Sequence, residues 1–286
     1  MSEPFVSTWK HRLLRALHTI RSYPPDLKDP VFARYPAMKY GERHALDHYA
    51  ALLAPLARSM MAQAPGYEWV LVSPPVRNLP SGANLLCERV HAILRRSVPR
   101  QAIALEPLRL TDDSQPFRSD RELDIYGDYA RLDYEARRKM QHGEDEIRYD
   151  RQALRGRQVI FVNDINVTGS QLRWLRKVLR ESAPAAVHAL LIVNTTGRVG
   201  RRFPHLESEI NGSRLSRQDE LASFLRDAEL RHTGKLVARL LAMGREGLEY
   251  ILCALDDAGR RRIIRAMFED GSYAPEYLRQ KLAFVR

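Results

Sequence analysis

The residues with the most chemical content in this chain stand close together: Asn163 and Asp164, then Thr168-Gly169-Ser170-Gln171. They follow the apolar run Val159-Ile160-Phe161-Val162 and lead into SQLRWLRKVLRESAP (170–184). In that segment Leu172, Leu175, Val178 and Leu179 share one helical face. A carboxylate at the end of a strand accepts from sugar hydroxyls or sits near a magnesium ion. A hydroxyl- and glycine-rich loop that opens a helix suits a phosphate group. The first helical turn carries unpaired N–H groups and the positive end of the dipole. Gly169 lets the backbone approach closely, and Thr168 and Ser170 add hydroxyl donors. A plain strand-to-helix turn, with Asp164 and Thr168 as caps, fits the same residues. It explains Thr168 and Gly169 but not a carboxylate joined to a hydroxyl-rich loop.

Elements on either side must hold this segment in place. The runs WVLVS (69–73), QAIALEPLRL (101–110), RGRQVIFVNDI (155–165) and AVHALLIVNTT (186–196) read as strands. Helical spacing marks 8–21, 42–63 and 83–96 between them. The alternation predicts an α/β fold with a mostly parallel sheet flanked by helices. After NGSRLS (211–216) only helical patterns follow, over 218–230, 234–243, 246–257 and 259–269. The expected organisation is an N-terminal helical segment, 1–65, an α/β core, 66–205, and an all-helical C-terminal region, 213–286. Residues 111–150 are polar with little apolar periodicity, and a loop of that length inside a domain usually has a function. Part of it, 121–140, has helical character.

Composition narrows the classes. With 286 residues the chain can bury a sizeable core, and 44% hydrophobic content is ordinary for a globular protein. Two cysteines, Cys87 and Cys253, argue against a disulfide framework or a cysteine-rich zinc site. No apolar run of about 18 residues suggests a membrane span, and the N-terminus lacks signal-peptide character. A cytoplasmic protein is the expectation. The net charge is +11. Residues 151–202 carry 10 basic and 2 acidic side chains, whereas 106–150 carry 8 basic and 13 acidic ones. The positive field around the 159–171 segment suits an anionic partner, either a small phosphorylated molecule or a polyanion. Arg173, Arg176, Lys177 and Arg180 would equally suit a solvated helix face.

The segment 159–171 resembles the PRPP-binding signature of type I phosphoribosyltransferases, which has a hydrophobic strand, two acidic residues and a T-G-x-[ST] loop entering a helix. Here Asn163 stands at the first acidic position. The resemblance implies that Thr168, Gly169, Ser170 and Gln171 hold the 5-phosphate and that Asp164, with Asn163, meets the ribose hydroxyls. It implies Mg²⁺ bound through PRPP near Asp164. It places a pyrophosphate-binding turn after the first strand, where Arg77, Ser81 and Gly82 stand. It likens Arg137-Arg138-Lys139-Met140-Gln141-His142-Gly143-Glu144 to a mobile basic loop that closes over the departing pyrophosphate. Catalytic roles would fall to Asp164, His142 and Arg138, with Arg137 and Lys139 binding. Tyr35-Pro36-Ala37-Met38-Lys39-Tyr40-Gly41-Glu42, the Pro-rich first loop and the helical tail together resemble the phosphoribosyltransferase-like proteins of bacterial tellurite-resistance and stress gene clusters.

The resemblance implies a glycosyltransferase of nucleotide metabolism. It would move the phosphoribosyl group of PRPP onto a small, nitrogenous acceptor, and family members are often homodimers. The alternative is a non-catalytic protein that binds PRPP or a nucleotide, and Asn163 leans towards it. Nucleic acid is not the expected main partner, because no basic and aromatic interleaving of the base-stacking type is present. No membrane partner is expected. The chain carries no GxxxxGK[ST], GxGxxG or HExxH motif, which leaves P-loop, dinucleotide and zinc-protease chemistry without support.

Overall fold

The structure is a computed structural model that describes residues 13–76, 78–98, 103–110, 116–119 and 147–285. Its elements in chain order begin with β1 (Leu14–Ile20), α1 (Tyr35–Lys39), α2 (Arg43–Ala62), β2 (Trp69–Val72) and α3 (Gly82–Ser97). Next come β3 (Ile103–Leu105), β4 (Arg109–Leu110), β5 (Ile147–Arg148), α4 (Arg151–Leu154), β6 (Gln158–Asn166), α5 (Ser170–Leu179) and β7 (Ala186–Thr195). The tail is α6 (Gly197–Arg202), α7 (Leu206–Gly212), α8 (Gln218–Asp227), α9 (Gly234–Leu241), α10 (Arg245–Cys253), α11 (Asp257–Glu269) and α12 (Pro275–Lys281).

Five strands form one sheet in the order β1-β7-β6-β2-β3, with every pairing parallel. The α/β expectation therefore holds. Strand residues alternate between faces, as a two-residue period requires. Trp69, Leu71, Ile160, Val162, Leu190 and Ile192 pack with α2 and α3 in one apolar cluster. Val70, Val72, Val159, Phe161, Val187, Ala189 and Leu191 pack with α5 in another. The sheet is thus a middle layer between helices. Parallel strands covered on both faces read as continuous apolar runs, which is why β2, β6 and β7 were legible in the sequence.

The helix expected over 8–21 is corrected: Leu14–Ile20 is an edge strand beside β7. Leu13 and Leu17 pack on one face of the sheet, and Leu14 and Ala16 on the other. A spacing of four residues satisfies a strand as well as a helix. The strand expected over 101–110 is divided. Ile103–Leu105 joins the main sheet, while Arg109–Leu110 pairs antiparallel with Ile147–Arg148. Pro107, which has no N–H to give a ladder, lies between them.

Beyond β7 the named elements are all helices. Val199, Leu206 and Ile210 of α6 and α7 pack into the core cluster, whereas the helices from α8 on enclose their own, including Leu221, Leu236, Leu240, Ile251 and Met267, which Tyr40 joins from the core side. Gly41 to Arg43 dock this tail by backbone pairing. Arg231 N donates to Gly41 O at 3.1 Å, and Arg43 N donates to Glu229 O at 3.0 Å. A Cβ on Gly41 would fall 1.9 Å from Arg231 O, and its φ is +89°. Only glycine accepts both conditions. No helix among the described residues is long and apolar enough to cross a membrane.

Candidate functional site

The sheet order fixes where a ligand crevice would lie. From β2 the chain moves outward through α3 to β3, and from β6 it moves the other way through α5 to β7. Adjacent β2 and β6 therefore flank a topological switch point, and ligands of open α/β sheets bind beyond the strand C-termini at such a point. The loops 73–81 and 167–169 border it.

The loop after β6 is short and shaped by glycine. Gly169 is left-handed, φ +73°, and stands directly before α5 without giving a side-chain cap. The Thr168 and Ser170 hydroxyls meet at 2.7 Å, and Ser170 N donates to Thr168 Oγ1 at 3.3 Å. Arg173, one turn into α5, donates from Nη2 to Thr168 O at 3.3 Å. The loop is braced from beneath. Thr195 Oγ1 donates to Val167 O at 2.6 Å, and Asn166 Nδ2 donates to Asn194 Oδ1 at 2.8 Å. A Cβ on Gly200 would lie 1.8 Å from Val167 O, so α6 seats against the loop through glycine. The loop is therefore fixed before any ligand arrives, and it presents a helix N-terminus, two hydroxyls and a guanidinium.

The two polar residues at the end of β6 point to different partners. Asn163 Nδ2 donates to Gln171 Oε1 at 2.9 Å and to Ile165 O at 3.0 Å. It fastens the strand to the first turn of α5. Asp164 is bound from the other side by α1. Tyr35 donates its hydroxyl to Asp164 Oδ2 at 3.1 Å, and Lys39 Nζ pairs with the same oxygen. Lys39 also donates to Glu207 Oε1 of α7 at 3.0 Å. Ile165 N donates to Asp164 Oδ1 at 2.9 Å. The side chains of Lys39, Asp164 and Glu207 are 13%, 6% and 14% exposed. A buried charge survives only when it is paired and hydrogen-bonded, and all three are.

Burial alone would lower the Lys39 pKa, but Asp164 and Glu207 outweigh it and hold the ammonium above its ordinary value. Burial, reinforced by the same two carboxylates, pushes the Tyr35 phenol well up. Lys39 is a cation and Tyr35 a neutral donor at any physiological pH. Lys39 and Tyr35 stand in the segment 35–42 that carried part of the family resemblance, but sequence reasoning gave them no role. Their spacing of four was the available signal, since it puts both on one face of a helix.

The loop after β2 is built differently. Ser81 caps α3 in a reciprocal box with Asn84: Asn84 N donates to Ser81 Oγ at 3.3 Å, and Ser81 N to Asn84 Oδ1 at 2.7 Å. Asn84 Nδ2 also donates to Ser73 Oγ at 2.9 Å and to Pro74 O at 2.7 Å. A Cβ on Gly82 would lie 2.8 Å from Met38 O and 2.9 Å from Lys39 Cα. Gly82 thus seats α1 against α3.

The structure therefore gathers Asn163, Asp164, Thr168, Gly169, Ser170 and Gln171 around the β6–α5 junction. It seats Ser81 and Gly82 at the start of α3, against the backbone of Met38 and Lys39 in α1. Arg77, Arg137, Arg138, Lys139 and His142 lie outside the described residues, as does the 121–140 segment. The described groups do not fit a protein-bound magnesium. Both oxygens of Asp164 are engaged, and its charge is already met by Lys39. No cluster of three or more His, Cys, Asp or Glu side chains suited to a metal occurs among the described residues.

No protein-family model matches the chain, and no curated protein matches it in sequence. Among solved structures it is similar to a hypoxanthine phosphoribosyltransferase from Staphylococcus aureus, at 9% identity and a TM-score of 0.30 over 51% of this chain. The chain spans 62% of that enzyme's length. It is also similar to a hypoxanthine-guanine phosphoribosyltransferase from Bacillus anthracis, at 15% identity and a TM-score of 0.31, covering 52% of this chain and 66% of the other. A third is the hypoxanthine phosphoribosyltransferase from Trypanosoma cruzi complexed with IMP, at 12% identity and a TM-score of 0.34 over 57% and 69% of the two chains.

Proposed function

We propose that the chain binds a 5-phosphorylated ribose of the PRPP type at the β6–α5 junction and transfers its phosphoribosyl group to a small nitrogenous acceptor. The observation that carries the proposal is the Val167–Gln171 loop. A left-handed glycine, two paired hydroxyls and the N-terminus of a ten-residue helix meet there, at the switch point of a parallel sheet. A phosphate at that place would gain from the positive end of the α5 dipole and from the first-turn N–H groups that have no intrahelical partner.

In this reading the ribose lies over the end of β6, beside Asn163 and Asp164. The acceptor's nitrogen forms a bond to the anomeric carbon and gives up a proton, while the bond from that carbon to pyrophosphate breaks. Positive charge for the pyrophosphate would come from Arg77, Arg137, Arg138, Lys139 and His142. The acceptor would sit under the N-terminal segment or the helical tail. The protein's contribution is positioning and charge stabilisation.

A second reading is favoured by one observation, the pairing of Asp164 with Lys39. A carboxylate already neutralised by an ammonium polarises ribose hydroxyls less than a bare pair would. The chain would then bind PRPP or a nucleotide without turnover. Calorimetric titration with PRPP, on the wild type and on Thr168→Ala/Ser170→Ala, tests both readings at once. Micromolar binding that weakens at least tenfold in the double variant supports the site. Pyrophosphate release with one of a panel of nitrogenous bases then selects transfer, and binding without release selects the second reading. No binding to the wild type overturns both.

A further inference from the structure

The carboxylates at the end of β6 already have a cation, and it belongs to the chain. Lys39 Nζ contacts Asp164 Oδ2 and lies 3.0 Å from Glu207 Oε1. It therefore bridges two acidic side chains from separate elements, β6 and α7, as a divalent ion would. Tyr35 fills a further position on Asp164 Oδ2, and Ile165 N occupies Oδ1. The ammonium cannot swing away at low cost. Gly82 lets Met38 and Lys39 press against the start of α3. Thr233, a buried residue of the tail, donates its hydroxyl to Lys39 O at 2.9 Å. The backbone on either side of Lys39 is thus held, and its ammonium is shared between two carboxylates.

A divalent ion on Asp164 would stand within contact distance of this ammonium. Like charges that close, in a site shielded from water, repel strongly. Deprotonating Lys39 would relieve the repulsion, but both carboxylates oppose that.

We propose that Lys39 is a built-in counter-cation for Asp164 and Glu207, and that the chain takes its sugar-phosphate ligand with no divalent ion bound to the strand end. The inference rests on the phosphoribosyl reading only for the nature of the ligand; the exclusion of metal follows from the Lys39 contacts alone. Any magnesium that arrives with a pyrophosphate-bearing ligand stays on that ligand. Lys39 is a positioning residue: it fixes Asp164 and does not touch the reacting atoms.

Two measurements test this. The first is Mn²⁺ binding followed by electron paramagnetic resonance on the full chain without ligand. The wild type is expected to show no Mn²⁺ site that Asp164→Asn removes. Lys39→Met, checked for folding by circular dichroism, is expected to gain one such site, and Lys39→Met/Asp164→Asn to lose it. A wild-type site that disappears in Asp164→Asn overturns the proposal, as does a folded Lys39→Met that gains none. If Lys39→Met does not fold, the wild-type comparison still decides.

The second measurement is calorimetry with ribose 5-phosphate, in EDTA and in excess Mg²⁺. The expected affinities agree within about twofold, whereas a tenfold or greater loss in EDTA overturns the proposal. Failure of ribose 5-phosphate to bind in either buffer counts against the phosphoribosyl reading, and the Mn²⁺ measurement then decides the counter-cation by itself.

Discussion

The two junctions that border the switch point are made from similar residue types and reach opposite states. After β2, Ser81 and Asn84 close the start of α3 on each other, and Asn84 also secures Ser73 and Pro74. After β6, Gly169 opens α5 with no side-chain cap of its own, and the hydroxyls of Thr168 and Ser170 turn to one another. A capping box spends the helix N-terminus on the protein itself. At the left-handed glycine no residue three on reaches back, and among the described residues the only side-chain acceptor seen for the first turn is Thr168 Oγ1, which takes Ser170 N. Serine followed by glycine before a helix is therefore not enough to mark an anion site. What matters is whether a side chain three residues on reaches back.

Variants can break or sharpen that contrast, and the largest effect is expected between the junctions. Lys39→Met leaves Asp164 and Glu207 buried without their cation, and removing one partner of such a pair costs about 3–5 kcal/mol. Urea unfolding should register that loss. A change under about 1 kcal/mol would mean that the carboxylates find other partners.

Gly200→Ala drives a Cβ into Val167 O and should cost about 1–3 kcal/mol. Because it displaces the loop after β6, it should also weaken ribose 5-phosphate binding. An affinity equal to wild type would show that the loop does not hold the phosphate.

Thr168→Ala/Ser170→Ala removes two donors from the same loop. Affinity is expected to fall about tenfold, roughly 1.4 kcal/mol, with a smaller change in the unfolding midpoint. Asn84→Ala supplies the counterpart: it leaves the Ser81 cap but removes the amide that reaches Ser81, Ser73 and Pro74, at about 1–3 kcal/mol of stability, with unchanged affinity. Equal effects of these two variants on binding would erase the distinction between the junctions.

The smallest effect is on pH dependence. Lys39 and Tyr35 both titrate above their ordinary values of 10.5 and 10.0. The unfolded chain therefore releases these protons first as pH rises, so the folded state binds more protons and stability falls with pH. The contribution is fully present below about pH 10 and is lost above it. Unfolding midpoints between pH 8 and 11 should show this fall in the wild type and less of it in Lys39→Met.

Much of the scaffold was legible because its signals are local. The apolar runs of β2, β6 and β7 and the 3.6-residue spacing of α2, α3 and α5 each need only neighbours in sequence. The T-G-S-Q loop was legible for the same reason. The edge strand β1 was not, because Leu13 and Leu17 stand four apart, a spacing that suits both periods. Only its parallel pairing with β7, across more than 170 residues, selects the strand. The Lys39–Asp164–Glu207 bridge was also out of reach. It joins three elements whose proximity follows from the sheet order and from the glycine seat at Gly82. The structural part of Ser81 and Gly82 was hidden on the same ground: the partner that closes the turn, Asn84, has an ordinary helical position. Its significance lies in the reach of its amide to Ser73 and Pro74.

Backbone amide shifts during a ribose 5-phosphate titration test the central claim most directly, because both junctions report in one experiment. The account predicts that the amides of Gly169 and Ser170 move with saturation while those of Gly82 and Ala83 stay in place. Movement at Gly82 and Ala83 with Gly169 unmoved would contradict it, and place the phosphate on the junction that the capping box closes.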